Sequence, residues 1–358
     1  MADKLKTYRG KRRASETPEP AGEKARKGKS QNRFVIQEHS ATALHWDLRL
    51  ERDGVLVSWA LPRGLPLDPK RNHMAVHTED HPLEYLDFHG DIPKGNYGGG
   101  WMRIWDTGTY EVKEWEPKKL VVTLHGERVD NQFALFQAGK EGKNWLIHRM
   151  DPPPEDWEPL PEELAPMRPS VGKQVPRNEG EWAYEIEWLG LRVLAYSEPG
   201  RLWLEHPEHG DVTAQFPEVR RLNRQLSSDA AVFDGVVAAF GGDGLPVSGA
   251  VEKRLTKKSP RPLKSDPRFS LQLFDVLHFD GSSTLEMPYS ERRKLLEELE
   301  LQGDGWQTPG NHRGEGRALL DRAPALGLPG IVAKRLDSTY RPGAESKDWR
   351  RIRARLIP

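Results

Sequence analysis

The chain has 358 residues, 30% of them charged, with a mean hydropathy of -0.75, which allows two or three domains with cores of their own and a strongly solvated surface. No apolar run approaches the roughly 18 residues of a membrane span and no signal-type apolar core stands at the N-terminus, so a cytoplasmic protein without a membrane partner is expected. Cysteine is absent, which excludes disulfides and thiolate metal sites and leaves imidazole and carboxylate as the metal-binding groups.

The 54 basic and 54 acidic residues balance overall but not locally. Residues 1–33 are cationic, carry Pro18, Pro20, Gly22 and Gly28, and show no apolar periodicity, so they are predicted to be a basic disordered arm. Such an arm contacts nucleic acid or serves as a solubilising tail, and the sequence leaves both open. Order is predicted to start at Phe34-Val35-Ile36. From there to about Met150, short strand-like runs alternate with turn signals such as Gly54, Pro62-Arg63-Gly64 and Gly98-Gly99-Gly100, which predicts an all-β barrel over 34–150. Its last hairpin is predicted to join Gln132–Phe136 to Asn144–His148. The glycines of 95–100 read as a hairpin turn, since no βαβ pattern surrounds them.

Residues 151–170 hold seven prolines and six acidic residues, and a stiff linker is expected over 151–178. The remainder, 179–358, mixes strands and helices in an α+β pattern. Strands are predicted at 184–186, 191–196 and 231–240, a helix capped by Ser290 with Leu295, Leu296 and Leu299 on its apolar side, and a short helix over 317–325 ending near Gly327.

The most informative stretch is Leu44-His45-Trp46-Asp47-Leu48-Arg49-Leu50-Glu51, in which apolar and polar residues alternate without a slip. His45 and Asp47 project to one side of a strand about 7 Å apart at the backbone. His39 can join them across a turn signalled by Ser40 and Thr42, and Arg49 continues the row as a phosphate-binding cation. The alternative is an amphipathic strand with a solvated face. Further on, His81 and Glu79 offer an imidazole for proton transfer and a carboxylate to orient it.

These residues, with Phe34–His39, Ser58-Trp59-Ala60-Leu61-Pro62-Arg63-Gly64, Glu79–Tyr85 and Ile92–Gly98, closely resemble the 3′-phosphoesterase domain of bacterial ligase D. The resemblance implies a β-barrel that uses manganese to remove 3′-terminal ribonucleosides and 3′-phosphates from DNA ends. It places metal ligands at His39, His45 and Asp47 and further active-site residues at Arg49, Ser58, Arg63, Glu79, His81 and Tyr85. Arg63 stands where that family usually has lysine, His73 where it has arginine, and Glu38 is an acidic residue to which no role falls. The implied partners are DNA 3′ ends, a Ku-like end-binding protein and separate polymerase and ligase chains, in non-homologous end joining and near the bacterial nucleoid.

The distal half resembles the adenylation domain of ATP-dependent DNA ligases through Trp182–Arg192, Asp211–Glu218, Phe233-Asp234-Gly235, Phe274–Leu277, Gly330–Arg335 and Ser346–Trp349. Its chemistry departs from that family. Self-adenylation needs a lysine amine, and Glu187 stands at that position. Val236 and Pro329 replace two expected carboxylates, Arg351 and Arg353 replace lysines, and the chain stops at Pro358 without an OB-fold. A pseudo-ligase that does not use ATP is therefore expected, with Lys334, Arg335, Arg341, Lys347, Arg350, Arg351, Arg353 and Arg355 as a possible phosphate-binding face. Two alternatives stay open: a ligase with an atypical nucleophile, and a non-catalytic DNA-end scaffold.

Overall fold

The computed structural model describes residues 3–12, 17–22, 31–93, 95–139, 142–226, 230–257 and 267–354. The chain forms two compact units, Met1–Glu155 and Asp156–Pro358. No helix among the described residues is long and apolar enough to cross a membrane.

The first unit is a closed antiparallel barrel. Its strands are β1 (Arg33–Ser40), β2 (Leu44–Arg52), β3 (Val55–Leu61), β4 (His73–His77), β5 (Gly90–Ile92), β6 (Gly100–Glu116), β7 (Lys119–Gly126), β8 (Asp130–Gln137) and β9 (Asn144–Arg149). They pair in the order β1-β2-β3-β4-β9-β8-β7-β6, and β6 returns to β1, so that eight strands close and β5 lies outside the ring on β6. The long β6 turns the corner: Ile36 faces Asp106 while Gln37 faces Ile104, a bulge that bends the strand. The Asp106 carboxylate accepts backbone N–H groups of Thr107, Glu127, Arg128 and Val129 and so fixes the β7–β8 turn.

The predicted alternation on β2 is present, with Leu44, Trp46, Leu48 and Leu50 filling the barrel beside Phe34, Trp59 and Phe133. The opposite face of β1 and β2 is also buried, because a second apolar layer lies outside the barrel wall. Leu83, Tyr85 and Leu86 of a 3₁₀ turn (Leu83–Leu86) build it with Val35, Val55, Leu56, Ile92, Met102 and, from the N-terminal segment, Leu5 and Tyr8. His39, Asp47, Arg49 and Ser58 are accordingly buried polar groups within the wall, which removes the reading of a solvated strand face.

The expectation of a disordered arm is corrected at 3–12 and 17–22. Helix α1 (Lys6–Gly10) places Leu5 and Tyr8 three residues apart on the barrel, both fully buried. Burial of each such side chain contributes on the order of 1.5–3 kcal/mol, which offsets the ordering of a short segment. The arm's Arg13, Lys24, Arg26, Lys27 and Lys29 lie outside the described residues.

In the second unit, strands Trp182–Ile186, Gly330–Arg335 and Glu345–Arg353 form one sheet with Arg168–Gly172, and strands Gly190–Glu198, Arg201–His206, Ala231–Phe240 and Arg268–Phe279 form the centre of another. The linker expectation is corrected as well. Glu158 bonds to the Gly281 carbonyl through its N–H and to His278 through its own carbonyl, Leu160 and Leu164 pack on the apolar core, and Arg168–Gly172 is a parallel partner of Glu345–Arg353. Prolines in this stretch hold an extended chain against the unit instead of spacing two units apart. The helix predicted from Ser290 runs Tyr289–Glu298 with Pro288 at its N-cap and buries Leu296. Carbonyls of Ser338 and Leu336 accept the N–H groups of Tyr289 and Ser290, so a tertiary contact replaces the expected side-chain cap. The short helix Gly316–Arg322 runs on as a 3₁₀ turn that ends at Gly327, whose φ of 66° is left-handed.

Candidate functional site

The β1–β2 hairpin sets His39 directly opposite His45 and Gln37 opposite Asp47, and β2–β3 pairing sets Arg49 opposite Ser58. Paired residues project to the same face, so one row carries all of them, buried except at the partly exposed His45. The liganding atoms of His39, His45 and Asp47 lie within 4.8 Å of one another.

Each imidazole is fixed by a backbone carbonyl. His39 Nε2–H donates to the Gly98 carbonyl at 2.7 Å, and His45 Nδ1–H donates to the Ala43 carbonyl at 3.1 Å. A carbonyl can only accept, so in the neutral rings the other nitrogens carry lone pairs. Those nitrogens face the same carboxylate: His39 Nδ1 is 3.5 Å from Asp47 Oδ2 and His45 Nε2 is 3.8 Å from Asp47 Oδ1. Acceptors facing acceptors repel unless a proton or a cation lies between them. Two nitrogens and a carboxylate at this spacing, each imidazole braced by a carbonyl, fit a divalent cation. The Gly98 contribution is tight: its φ is +76°, and a Cβ there would stand 3.3 Å from His39 Cε1.

Arg49 lies beneath the cluster and is almost fully buried. Its Nη2 donates to Asp47 Oδ2 at 2.9 Å and its Nε to Gln37 Oε1 at 2.7 Å, while Nη1 is buried with no hydrogen-bond partner among the described residues. Burial opposes ionisation of Asp47, but the Arg49 guanidinium holds its carboxyl far below the usual carboxylate range. Gln37 in turn donates to the carbonyls of Tyr85 and Phe88 at 3.0 and 2.8 Å, which ties the row to the outer layer.

His81 donates through Nδ1–H to the Glu79 carbonyl at 2.7 Å, which leaves Nε2 as an acceptor 3.3 Å from Arg12 Nη2. Burial, with the Arg49 and Arg12 guanidiniums nearby, pushes its pKa well below the ordinary histidine value, so the ring is neutral. The expectation that the Glu79 carboxylate orients His81 is corrected: its backbone carbonyl does so. The carboxylate instead receives Lys11 at 2.7 Å and Arg12 at 3.0 Å. Arg12 also pairs with Glu19 at 2.7 Å, and Glu19 accepts the Tyr85 hydroxyl.

The structure thus gathers His39, His45, Asp47, Arg49, Ser58, Glu79, His81 and Tyr85 on one side of the barrel wall. The Ser58 hydroxyl donates to the Leu56 carbonyl at 3.0 Å, and Arg63 sits half-buried in the turn after β3. His73 lies on β4, where it bonds to the Gly64 carbonyl at 3.0 Å. Glu38, on the opposite side of β1, pairs with Arg103 at 2.6 Å. Sequence reasoning missed Gln37, Gly98, Lys11, Arg12 and Glu19. Gln37 was accessible, being two residues before His39 on the same strand face.

The second unit has an open cleft of about 240 Å³ lined by Glu185, Glu187, Arg192, Phe274, Lys334 and Trp349 among others. Glu187 faces Arg351 at 3.3 Å and Arg353 at 3.6 Å. Burial pushes its pKa up, against the pull of those guanidiniums. Arg192 grips Asp234 with two hydrogen bonds of 3.0 and 2.5 Å, and the Tyr340 hydroxyl donates to the same carboxylate at 2.6 Å. Lys334 is buried between Phe274 and Trp349, each ring centroid 4.2 Å from its ammonium, and pairs with Glu185 at 2.8 Å. It is therefore not part of an exposed phosphate-binding face. Arg335 pairs with Asp337, and Arg351 and Arg353 with Glu187, while all three side chains remain at least partly exposed at the surface. Arg355 lies outside the described residues.

Residues 37–137 match the family described as DNA Ligase D 3'-phosphoesterase domain, and residues 163–353 match the ATP dependent DNA ligase domain. The multifunctional non-homologous end joining protein LigD of Mycolicibacterium smegmatis is 42% identical over 98% of this chain and 45% of its own length. The protein of the same name from Pseudomonas aeruginosa is 30% identical over 98% of this chain and 47% of its own. A solved structure of mycobacterial DNA ligase D complexed with ATP and MES aligns with 53% of this chain and 60% of that chain, at 31% identity and a TM-score of 0.47. The chain spans less than half the length of these curated relatives. The ligase-domain match alone covers more than half of the chain, which therefore belongs to the ATP-dependent DNA ligase domain family and carries a DNA ligase D 3′-phosphoesterase domain ahead of it.

Proposed function

We propose that the first unit is a divalent-metal-dependent phosphoesterase, with manganese as its ion, that removes 3′-phosphates and 3′-terminal ribonucleosides from DNA ends in non-homologous end joining. The observation that carries this reading is the pair of imidazole lone pairs facing the Asp47 carboxylate, with an unpartnered guanidinium nitrogen of Arg49 below. His39, His45 and Asp47 hold the ion, which when bound supplies Lewis-acid polarisation of a phosphoryl oxygen. Arg49 Nη1, which has no hydrogen-bond partner among the described residues, is the donor for a second phosphate oxygen, and Arg63 adds positive charge from the turn after β3. Nε2 is the atom at which neutral His81 takes up or returns a proton, since Nδ1 is committed to the Glu79 carbonyl. The Tyr85 ring, its hydroxyl held by Glu19, lies 4.9 Å from the Arg49 guanidinium, and Ser58 is the cross-strand neighbour of Arg49. The partners in this reading are DNA 3′ ends, a Ku-like end-binding protein and separate polymerase and ligase chains, in the cytoplasm at the nucleoid.

The deciding assay is incubation with a primer–template bearing a 3′-phosphate. Phosphate release with manganese that chelation stops is the expected result, and no release under any divalent ion would remove the reading.

We further propose that the second unit does not self-adenylate and does not use ATP. A carboxylate cannot stand in for the lysine amine, and Glu187, turned toward Arg351 and Arg353, presents negative charge to a triphosphate. Incubation with α-labelled ATP is expected to leave no covalent label on the protein. A labelled adduct on the pure chain would establish a different nucleophile.

A further inference from the structure

Tyr97 stands out among the aromatic side chains of the first unit because it is half-exposed while its neighbours in the cluster are buried. It lies in the loop between β5 and β6, one residue before Gly98, whose carbonyl fixes His39. Its ring is therefore anchored to the wall of the candidate metal centre by a single peptide unit. Two cations lie against it: Lys11 Nζ is 4.6 Å and the Arg12 guanidinium 5.5 Å from the ring centroid, and Lys11 also bonds the phenol oxygen at 3.3 Å. The same two cations hold Glu79, and Arg12 reaches His81. Tyr97 is thus a rigidly backed aromatic surface with positive charge beside it, at the rim of a phosphate-handling site.

Resting on the phosphoesterase reading above, we infer that Tyr97 is the stacking platform for the nucleobase at the 3′ end of the DNA strand. An aromatic face accepts any base, because every base has a π-surface, while Lys11, the more exposed of the two adjoining cations, is the one placed to meet the backbone phosphate. Tyr97 would then position the strand end and carry selectivity for a base-bearing end over an abasic one.

The test compares wild type, Tyr97→Ala and Tyr97→Phe on primer–templates ending in a 3′-ribonucleotide, with and without its base. Tyr97→Ala is expected to raise KM for the base-bearing end about tenfold or more, with most of the loss in KM and not in kcat, and Tyr97→Phe to restore wild-type behaviour. For wild type, removing the base should raise KM to the level of Tyr97→Ala, and the two changes together should do no more than either alone. Manganese affinity, followed by the paramagnetic resonance of free ion, should be the same in all three proteins. A fall in manganese affinity with unchanged base preference would assign Tyr97 to bracing of the Gly98 loop and overturn the proposal. A direct binding readout separates it from the catalytic reading: 2-aminopurine at the 3′ end, with no divalent ion present, should be quenched by wild type and not by Tyr97→Ala. Quenching without any metal-dependent turnover would keep the platform and remove the enzyme. Turnover with equal quenching in both proteins would do the reverse.

Discussion

Asp47→Ala is expected to lower manganese-dependent phosphate release by at least about 10³-fold, the loss of several kcal/mol of transition-state stabilisation that a bound cation supplies. The carboxylate is the one group that both imidazoles face, and it also receives Arg49. Its removal would take away a ligand and leave a buried guanidinium with one fewer partner, at a cost to folding of about 3–5 kcal/mol. Asp47→Asn separates the two effects, because the amide oxygen can still accept from Arg49 Nη2. The asparagine variant, which keeps that hydrogen bond but leaves the Arg49 charge uncompensated, should be destabilised less than the alanine variant and still lose nearly all activity and manganese affinity. Activity that survives in both variants would show that the cation, if any, is held elsewhere.

The second large effect is expected at Asp275, in the other unit. Arg292 and Asp275 are fully buried and joined by two hydrogen bonds of 2.8 and 3.0 Å, and Arg292 Nη1 also donates to the carbonyls of Met287 and Ser338. This one guanidinium ties the helix Tyr289–Glu298 to the strand Arg268–Phe279 and to the turn at Ser338. Asp275→Ala leaves an unpaired charge in the core and should cost about 3–5 kcal/mol. Equilibrium unfolding in urea would measure it, and hydrogen exchange should show the strand Arg268–Phe279 losing protection. Replacing both partners with apolar residues, Asp275→Leu with Arg292→Met, should recover most of the loss, since the pair's own contribution is small next to the penalty of breaking it. A single variant as stable as wild type would mean that water reaches Arg292 more easily than its burial indicates.

What the sequence made legible follows from the range of the interactions involved. His39, His45 and Asp47 belong to one hairpin, so strand alternation and a short turn suffice to bring them together. The barrel interior was readable for the same reason, because Leu44, Trp46, Leu48 and Leu50 repeat at the strand period. The burial of the polar row was not readable. Its cover comes from Leu83–Leu86 and from a cationic segment whose apolar signal is Leu5 and Tyr8, three residues apart at the N-cap and within a five-residue helix. The roles of Glu79 and Glu38 were hidden likewise, because their partners Lys11, Arg12 and Arg103 lie more than sixty positions away. In the distal unit, strand positions were legible from β-branched and aromatic runs. The burial of Lys334 was not, since a lysine in a basic stretch reads as solvent-facing until its aromatic walls are assembled.

The seam that closes the barrel has a consequence for how the centre is assembled in time. The β1–β2 hairpin can bring His39, His45 and Asp47 into register by local contacts alone, whereas β6, which follows Gly98, pairs with β1 from Ser40 and Trp101 to Arg33 and Thr109, residues far apart along the chain. Local pairing forms early and distant pairing late, because the longer loop costs more entropy to close. A folding chain thus holds its three liganding side chains before it holds the carbonyl that sets the His39 tautomer. Any cation that prefers the finished geometry draws the β1–β6 seam shut by mass action, so that occupancy of the centre and closure of that seam become one equilibrium.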